Sequence, residues 1–424
     1  MYHEIMIKNA VDIMQGVGPF SHELIRGVSI HSRTAKPGDL FFALHGEHTD
    51  GHYYTKEAVM NGACAVVVEK QTSTGYDIVV NDTLYALGEL ARYYRSLFTP
   101  TTVAVTGTNG KTTVKNLIVA ILMNGNTVTS TVKNYNSLIG LPLTIFELNG
   151  SEHYLIVEMG TNAPGEIARL CEMARPQIGV ITTVGPGHLQ GLGSLDGVRK
   201  EKSALIGALP ADGFAVVGDA AGDISGPNVT RFSLEQCTDI EVTETGSSFT
   251  YLGKRCSTPL LGVGNVYNCC AALCLTTLLG CDYDTQRDAL ARAQPEPGRL
   301  EPLYAGRLLI INDSYNANPA SMKAAFTLMA EFKRRSIYVL GDMLELGTDS
   351  TRLHQEIGAY AQDKCDLLLT CGEQAKWYGG KHFSNKSALI RHLLSILSDT
   401  DAVLIKASRG LHFETVVDEL LRRR

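Results

Sequence analysis

The sequence predicts an α/β protein of three domains. A small α/β N-terminal domain spans residues 1–98, and a central domain spans 99–296 on a mostly parallel, P-loop-type sheet with helices on both faces. A Rossmann-like C-terminal domain spans 297–424. Three observations lead there. The 424 residues exceed what one ordinary core organises, so two or three domains are expected. Unbroken apolar runs alternate with helix-length segments, as in strands buried on both faces of a parallel sheet. One segment, "AVTGTNGKTTVKN" (Ala104–Asn116), reads as a strand, a glycine-cornered turn and the start of a helix.

In the first domain "GDLFFALHG" and "ACAVVVEK" read as strands, and "TLYALGELARYYRSLF" as a closing helix. The central domain opens with the strand "TTVAVTG" and continues through "YLIVEMG", "IGVITTVG" and "GFAVVGD". Within it "DIEVTETGSSFTYLGK" alternates and turns at Gly246-Ser247, which predicts an added hairpin. The breaker "QPEPGR" reads as a linker. Beyond it "LLIINDS", "SIYVLGD", "DLLLTCG" and "AVLIKAS" are strands of a second, smaller α/β unit.

Composition narrows the function classes. The chain is 44% hydrophobic and 19% charged, the balance of a soluble globular protein. A net charge of −6 leaves no basic footprint, which argues against nucleic acid as the main partner. No apolar stretch is long enough to span a bilayer, and the N-terminus lacks the apolar segment of a signal peptide. None of the ten cysteines falls in a C-x-x-C pair; they read as small buried hydrophobes in a reducing cytosol.

The glycine-cornered turn has the chemistry of a phosphate loop. Backbone N–H groups at such a turn and helix N-terminus converge on phosphate oxygens. Gly107 and Gly110 let the backbone approach closely, Lys111 reaches the β/γ-phosphates, and the Thr112 hydroxyl is placed to ligate Mg2+. The generic motif asks for glycine six residues before the lysine, where this chain has Val105.

"TGTNGKTT" resembles the ATP loop of the Mur ligases, the amide-forming enzymes that build the peptide stem of peptidoglycan, and the resemblance extends over essentially the whole chain. "GVSIHSRTAKPGDLFFALHGEHTDGH" is similar to the family's uridine-nucleotide segment. "VEMGTNAPGEI", "TTVGPGHLQGLGSLDGVRKEKSAL" and "NVYNCCAAL" come next in family order. "NDSYNANPASM", "VLGDMLELG" and "KASRG" resemble the branch that adds D-alanyl-D-alanine to UDP-N-acetylmuramoyl-tripeptide.

That resemblance implies a cytoplasmic, monomeric ATP-dependent ligase forming ADP and phosphate through an acyl phosphate. It implies ATP on Gly107, Thr108, Asn109, Gly110, Lys111, Thr112 and Thr113, met also by Asn268, Arg299 and Asp313. Two Mg2+ ions are implied, on Thr112, Glu158, His188 and Lys202, with Lys202 carrying a CO2-derived carbamate and Lys200 its alternative. Lys111, Glu158, His188 and Lys202 are the implied catalytic set. Ser29, Ser32, Arg33 and Asn134 would meet the UDP-sugar peptide, and Asn316, Asn318 and Ser321 the incoming dipeptide. Without the resemblance, Glu158 also reads as a solvated strand-end carboxylate, His188 as an exposed loop residue, and the Ser and Asn positions as caps and turns. The ATP site would be completed only when the C-terminal domain closes, excluding water from the acyl phosphate.

Four positions depart from the family pattern. His31 replaces Asp, Ser137 and Thr183 each replace Asn, and Gly264 replaces the His before Asn265. His31, Ser137 and Gly264 motivate an alternative, a Mur-ligase-like paralogue joining a different amino acid or dipeptide to another carboxylate. A nucleotide-binding regulator is a third reading, and the intact Lys111, Glu158, His188 and Lys202 oppose it.

Overall fold

Where the sequence strings apolar residues together, the computed structural model, which describes residues 3–18, 21–46 and 49–422, places strands. At the N-terminal end Gly27–Ser29, Asp39–Phe42, Ala65–Val68 and Asp77–Val79 lie side by side in that order, all parallel. The predicted helix runs Thr83–Arg95, and its N-cap Asp82 accepts from the Tyr85 N–H at 2.8 Å. This helix ties the N-terminal sheet to the central domain. The Tyr94 hydroxyl donates to the Leu148 carbonyl at 2.9 Å, and the Arg95 guanidinium donates to the carbonyls of Ala174 and Phe98 and to the Thr102 hydroxyl. A single apolar cluster continues from Leu87, Leu90 and Tyr94 into Phe146, Leu155 and Leu170.

The central sheet holds β1 (Thr101–Thr106), β2 (Tyr154–Glu158) and β3 (Ile178–Ile181). β1 lies between β2 and β3, with Val128–Ser130 beyond β2 and Phe214–Gly218 and Val229–Phe232 beyond β3; every pairing is parallel. Helices cover both faces. α1 (Lys111–Leu122) and α3 (Val263–Leu278) share one apolar cluster, while α2 (Leu195–Gly207) packs Leu205 into the opposite one. In such sheets ligands bind beyond the carboxyl ends of the strands, where successive connections leave to opposite faces. Here that point is the end of β1.

The added hairpin is present, as three antiparallel strands Cys237–Thr243, Gly246–Tyr251 and Lys254–Thr258. Its first turn is at Glu244–Thr245, two residues before the predicted position. Gly246 pairs with Thr243, and a Cβ there would strike the Thr258 carbonyl. The glycine therefore serves close strand approach rather than the turn.

The C-terminal sheet contains β4 (Leu308–Asp313) and β5 (Ala402–Lys406), adjacent and parallel. Ser336–Leu340, Leu367–Cys371 and Lys381–Phe383 extend it in parallel, and Glu301–Ala305 closes the other edge antiparallel. α4 (Pro319–Ala330) leaves the end of β4, and apolar clusters fill both faces. This unit meets the central one through polar groups such as the paired Arg334–Glu244 contacts at 2.7 and 2.8 Å, and through Leu261 and Val242, which pack into its apolar cluster. All ten cysteines are free, and among the described residues no helix is long and apolar enough to cross a membrane.

Candidate active site

Between the carboxyl ends of the central strands and those of β4 and β5 lies a cavity of about 760 Å³. The loop after β1 forms one wall. Gly107 and Gly110 hold φ values of 150° and 86°; an added Cβ would meet Thr182 Oγ1 at the first and Asn268 Oδ1 at the second. The loop is braced from the segment after β3. Thr108 N–H donates to the Thr183 carbonyl at 2.7 Å, and Asn109 N–H donates to the Thr183 hydroxyl at 3.0 Å. Lys111 Nζ donates to the Gly107 and Thr108 carbonyls at 2.9 and 3.3 Å. No side chain caps α1, so its first N–H groups face the cavity as a ready anion site. Thr108, Asn109, Gly110, Lys111 and Thr113 line the space, while Thr112 is buried behind them.

Glu158 ends β2 almost fully buried. Its Oε1 accepts from Asn136 Nδ2 at 2.8 Å, and its Oε2 has no hydrogen-bond partner. A buried, half-satisfied carboxylate is expensive to hold unless a cation completes it, so this oxygen fits a metal ion. Two lysines act on it. Burial depresses the Lys111 and Lys115 ammonium groups while Glu158 pulls both up, and Lys115 Nζ donates to the Thr131 carbonyl at 2.6 Å. Lys202, 1% exposed, is pushed down to about 7 by burial and then by the Lys111 charge. Its neighbour Lys200 is exposed, so burial separates the two candidate carbamate lysines. His188 lines the cavity with φ 55°, its Nδ1 2.7 Å from Glu345 Oε2 across the seam between units.

The C-terminal wall contributes Arg299, Asp313 and Asn316. Asp313 accepts from Lys406 Nζ at 2.5 Å and from Leu300 N–H at 3.1 Å; Lys406 also donates to the Asn316 carbonyl. Arg299 stacks on Tyr315, 3.9 Å from the ring centre. Asn318 caps α4, accepting from Ser321 N–H, and its amide faces that of Asn109 with contacts of 2.8 and 3.4 Å. Asn318 and Ser321 line the cavity while already hydrogen-bonded within it. Asn268 on α3 also lines the cavity, beside Gly110.

The remaining candidates lie apart from the cavity lining. Ser29 Oγ closes a turn with His31, Ser32 Oγ donates to Glu57 at 2.5 Å, and Arg33 and Asn134 are exposed. Asn136 and Ser137 reach the cavity from that loop in place of Asn134. Nearby, His45, Asp50 and His52 cluster in the manner of metal ligands. Yet His52 Nε2 accepts from Glu69 N–H at 2.9 Å, so Nδ1 carries the proton toward Asp50. That tautomer leaves His52 no lone pair for a cation.

Lys115, Asn136, Glu345 and Lys406 were not singled out by the sequence. Lys406 had a usable signal, since a charge closing an apolar strand ("AVLIK") repeats the pattern of Glu158 in "YLIVE" and Asp313 in "LLIIND".

Three family models match consecutive stretches of the chain. They are described as Mur ligase family, catalytic domain (residues 24–95), Mur ligase middle domain (105–276) and Mur ligase, glutamate ligase domain (298–409). The chain is 34% identical over 443 residues to the UDP-N-acetylmuramoyl-tripeptide–D-alanyl-D-alanine ligase of Escherichia coli K12, covering 98% of each chain. The chain belongs to the Mur ligase family. The same-named enzyme of Bacillus subtilis 168 is 32% identical, again with 98% of each covered. Among solved structures, MurF from Acinetobacter baumannii superposes with a TM-score of 0.92 at 28% identity over 100% of both chains. The MurF ligase of Thermotoga maritima in complex with ADP gives 0.86 at 29% identity, covering 94% of this chain and 99% of that one.

Within this Mur ligase two of the four departures have local accounts. Thr183 supplies both a carbonyl and a hydroxyl to the phosphate loop. Gly264 lines the cavity, and a Cβ placed there meets nothing within 4 Å. Gly264→His is therefore expected to fit and to lower the KM for ATP by about threefold, one added hydrogen bond's worth. Nucleotide titration of the variant checks this; a raised KM would mean that the ring blocks the site instead.

Proposed function

We propose that this Mur ligase joins D-alanyl-D-alanine to UDP-N-acetylmuramoyl-tripeptide in the cytoplasm, with ATP converted to ADP and phosphate. The observation that carries the reading is the facing pair of walls: a phosphate loop with the half-satisfied Glu158 on one side, Arg299 and the Asp313–Lys406 pair on the other. Near-full-length relatives bearing that substrate name support the choice of substrates.

The residues divide the work by charge. Hydroxide is a poor leaving group, so the acceptor carboxylate takes the γ-phosphoryl group of ATP, and the dipeptide amine then displaces phosphate from the acyl carbon. Gly107 to Thr113, with Asn268, Arg299 and Asp313, hold and orient the nucleotide; Lys111 neutralises its outer phosphates. Two Mg2+ ions, when bound, would screen the triphosphate and the acceptor carboxylate; Thr112 and Glu158 would hold one, His188 and Lys202 the other. Lys202 suits the second role only as an anion. Its amine, free of charge above about pH 7, attacks CO2 and loses a proton to become a carbamate.

In this reading residues 1–98 bind the UDP end through Ser29, Ser32 and Arg33, with Asn134 nearer the sugar peptide. Residues 99–296 bind ATP. Residues 297–424 close over it and present the dipeptide near Asn316, Asn318 and Ser321, and the chain works as a monomer. The seam, with the polar pairs Asn109–Asn318 and Arg334–Glu244 and the small apolar contact of Leu261 and Val242, suits such closure better than the extended apolar core shared at the N-terminal end.

The test is phosphate release from ATP over a panel of acceptors and amines. Release is expected only when UDP-N-acetylmuramoyl-tripeptide and D-alanyl-D-alanine are both present. Turnover with neither the lysine- nor the diaminopimelate-containing acceptor would overturn the reading.

A further inference from the structure

We propose that Arg409 receives the free carboxylate of the incoming dipeptide and so makes the enzyme demand an unblocked C-terminus. The inference rests on the proposed dipeptide substrate and deepens that reading.

The amine substrate is a zwitterion. Its nitrogen must approach the acyl carbon, which leaves its carboxylate about 7 Å further along an extended dipeptide. A carboxylate brought out of water at that distance needs a cation with free N–H groups.

The cations of the C-terminal wall can be sorted by what they already hold. Lys406 is committed to Asp313 and the Asn316 carbonyl. Arg299 is close enough to Lys111 and Lys115 to depress both ammonium groups, which places it with the nucleotide phosphates. Arg409 is left. Its side chain is exposed and makes no ion pair among the described residues.

Its position is nevertheless fixed. It opens the short turn Arg409–Leu411 directly beyond β5, after Ser408, whose buried hydroxyl accepts from Leu344 N–H at 2.9 Å. Its guanidinium lies 4.9 Å from the centre of the Tyr315 ring, and Arg299 lies 3.9 Å from the same ring. Tyr315 and Leu344 both line the cavity, and a Cβ added at Gly410 would meet Leu344 in ordinary contact. Tyr315 thus carries two guanidinium groups: Arg299, which lines the cavity, and Arg409, which lies just outside its lining. Stacking occupies the face of a guanidinium and leaves its N–H edges open to grip a carboxylate with two parallel bonds.

The experiment compares D-alanyl-D-alanine with its C-terminal carboxamide in the full chain, as wild type, Arg409→Ala and Arg409→Lys. The wild type is expected to favour the acid by about 100-fold in kcat/KM. In Arg409→Ala the KM for the acid rises about 30-fold, the KM for ATP stays put, and the preference shrinks to about threefold. Arg409→Lys recovers part of the preference. A variant that keeps the wild-type preference overturns the assignment, as does a loss confined to the KM of the UDP-linked acceptor. Wild-type protein that turns over neither amine brings down the dipeptide reading itself, an outcome visible before any variant is made.

Discussion

Glu158→Gln is expected to lower kcat by about 1,000-fold while leaving the fold intact. The substitution preserves shape and the bond from Asn136 to the first side-chain oxygen, since Gln retains one carbonyl oxygen. What it removes is the charge on the oxygen that has no protein partner. If that oxygen merely fills space, Gln should be tolerated. If it holds a divalent cation against the β/γ-phosphates, the variant loses that ion and keeps the nucleotide, now with Lys111 and Arg299 left to neutralise more of its charge. Two measurements separate these outcomes. Phosphate release reports the rate, and the electron spin resonance of Mn2+ added with a non-hydrolysable ATP analogue reports ion binding independently of turnover. A variant with wild-type Mn2+ affinity would remove Glu158 from the metal site. Gln tests a single oxygen atom, so it is sharper than truncation to Ala, which would also open a hole beneath Asn136.

The fold was legible wherever burial on two faces forces an unbroken apolar run. "TTVAVTG", "YLIVEMG", "LLIINDS" and "AVLIKAS" all became central strands of their sheets. The edges were not legible. Gly27–Ser29, Val128–Ser130 and Lys381–Phe383 are short and half-exposed, so one neighbour and water share their requirements and no apolar signature is imposed. The hairpin was legible as alternation, but its turn was misplaced, because a glycine required for strand approach looks in sequence like a glycine required for reversal.

The site divides along similar lines. The phosphate loop is local, and all its parts lie within one strand-turn-helix corner. Asn109 and Asn318, by contrast, are 209 positions apart, and Asp313 and Lys406 are 93 apart. Each reads alone as a turn or strand-end residue; the docking of two sheets turns the asparagines into a pair, and the register of adjacent strands β4 and β5 does the same for Asp313 and Lys406. The same docking brings Glu345 to His188, and sequence offers no local reason to connect them.

Lys202→Ala should be nearly as damaging as the change at Glu158, about 1,000-fold in kcat, and should differ from it in being repairable. A lysine that acted as a cation would not be replaced by small acids. One that acts as a carbamate leaves behind a missing carboxylate and a cavity the length of its side chain, into which formate or acetate can diffuse. Activity of Lys202→Ala is thus expected to rise with added short carboxylates, while Lys200→Ala, on the exposed side of α2, behaves as wild type throughout. The wild type gives the complementary result. Its buried amine titrates near 7, depressed by burial and by Lys111. Protonated amine does not attack CO2, so after CO2 is stripped, recovery with bicarbonate should be complete above that pH and falter as pH falls below it. Protein loaded with 13C-bicarbonate should then show a carbamate carbon in its NMR spectrum that Lys202→Ala lacks. Full activity of Lys202→Ala without any added acid would instead assign the second cation to other ligands, and the depressed amine to burial alone.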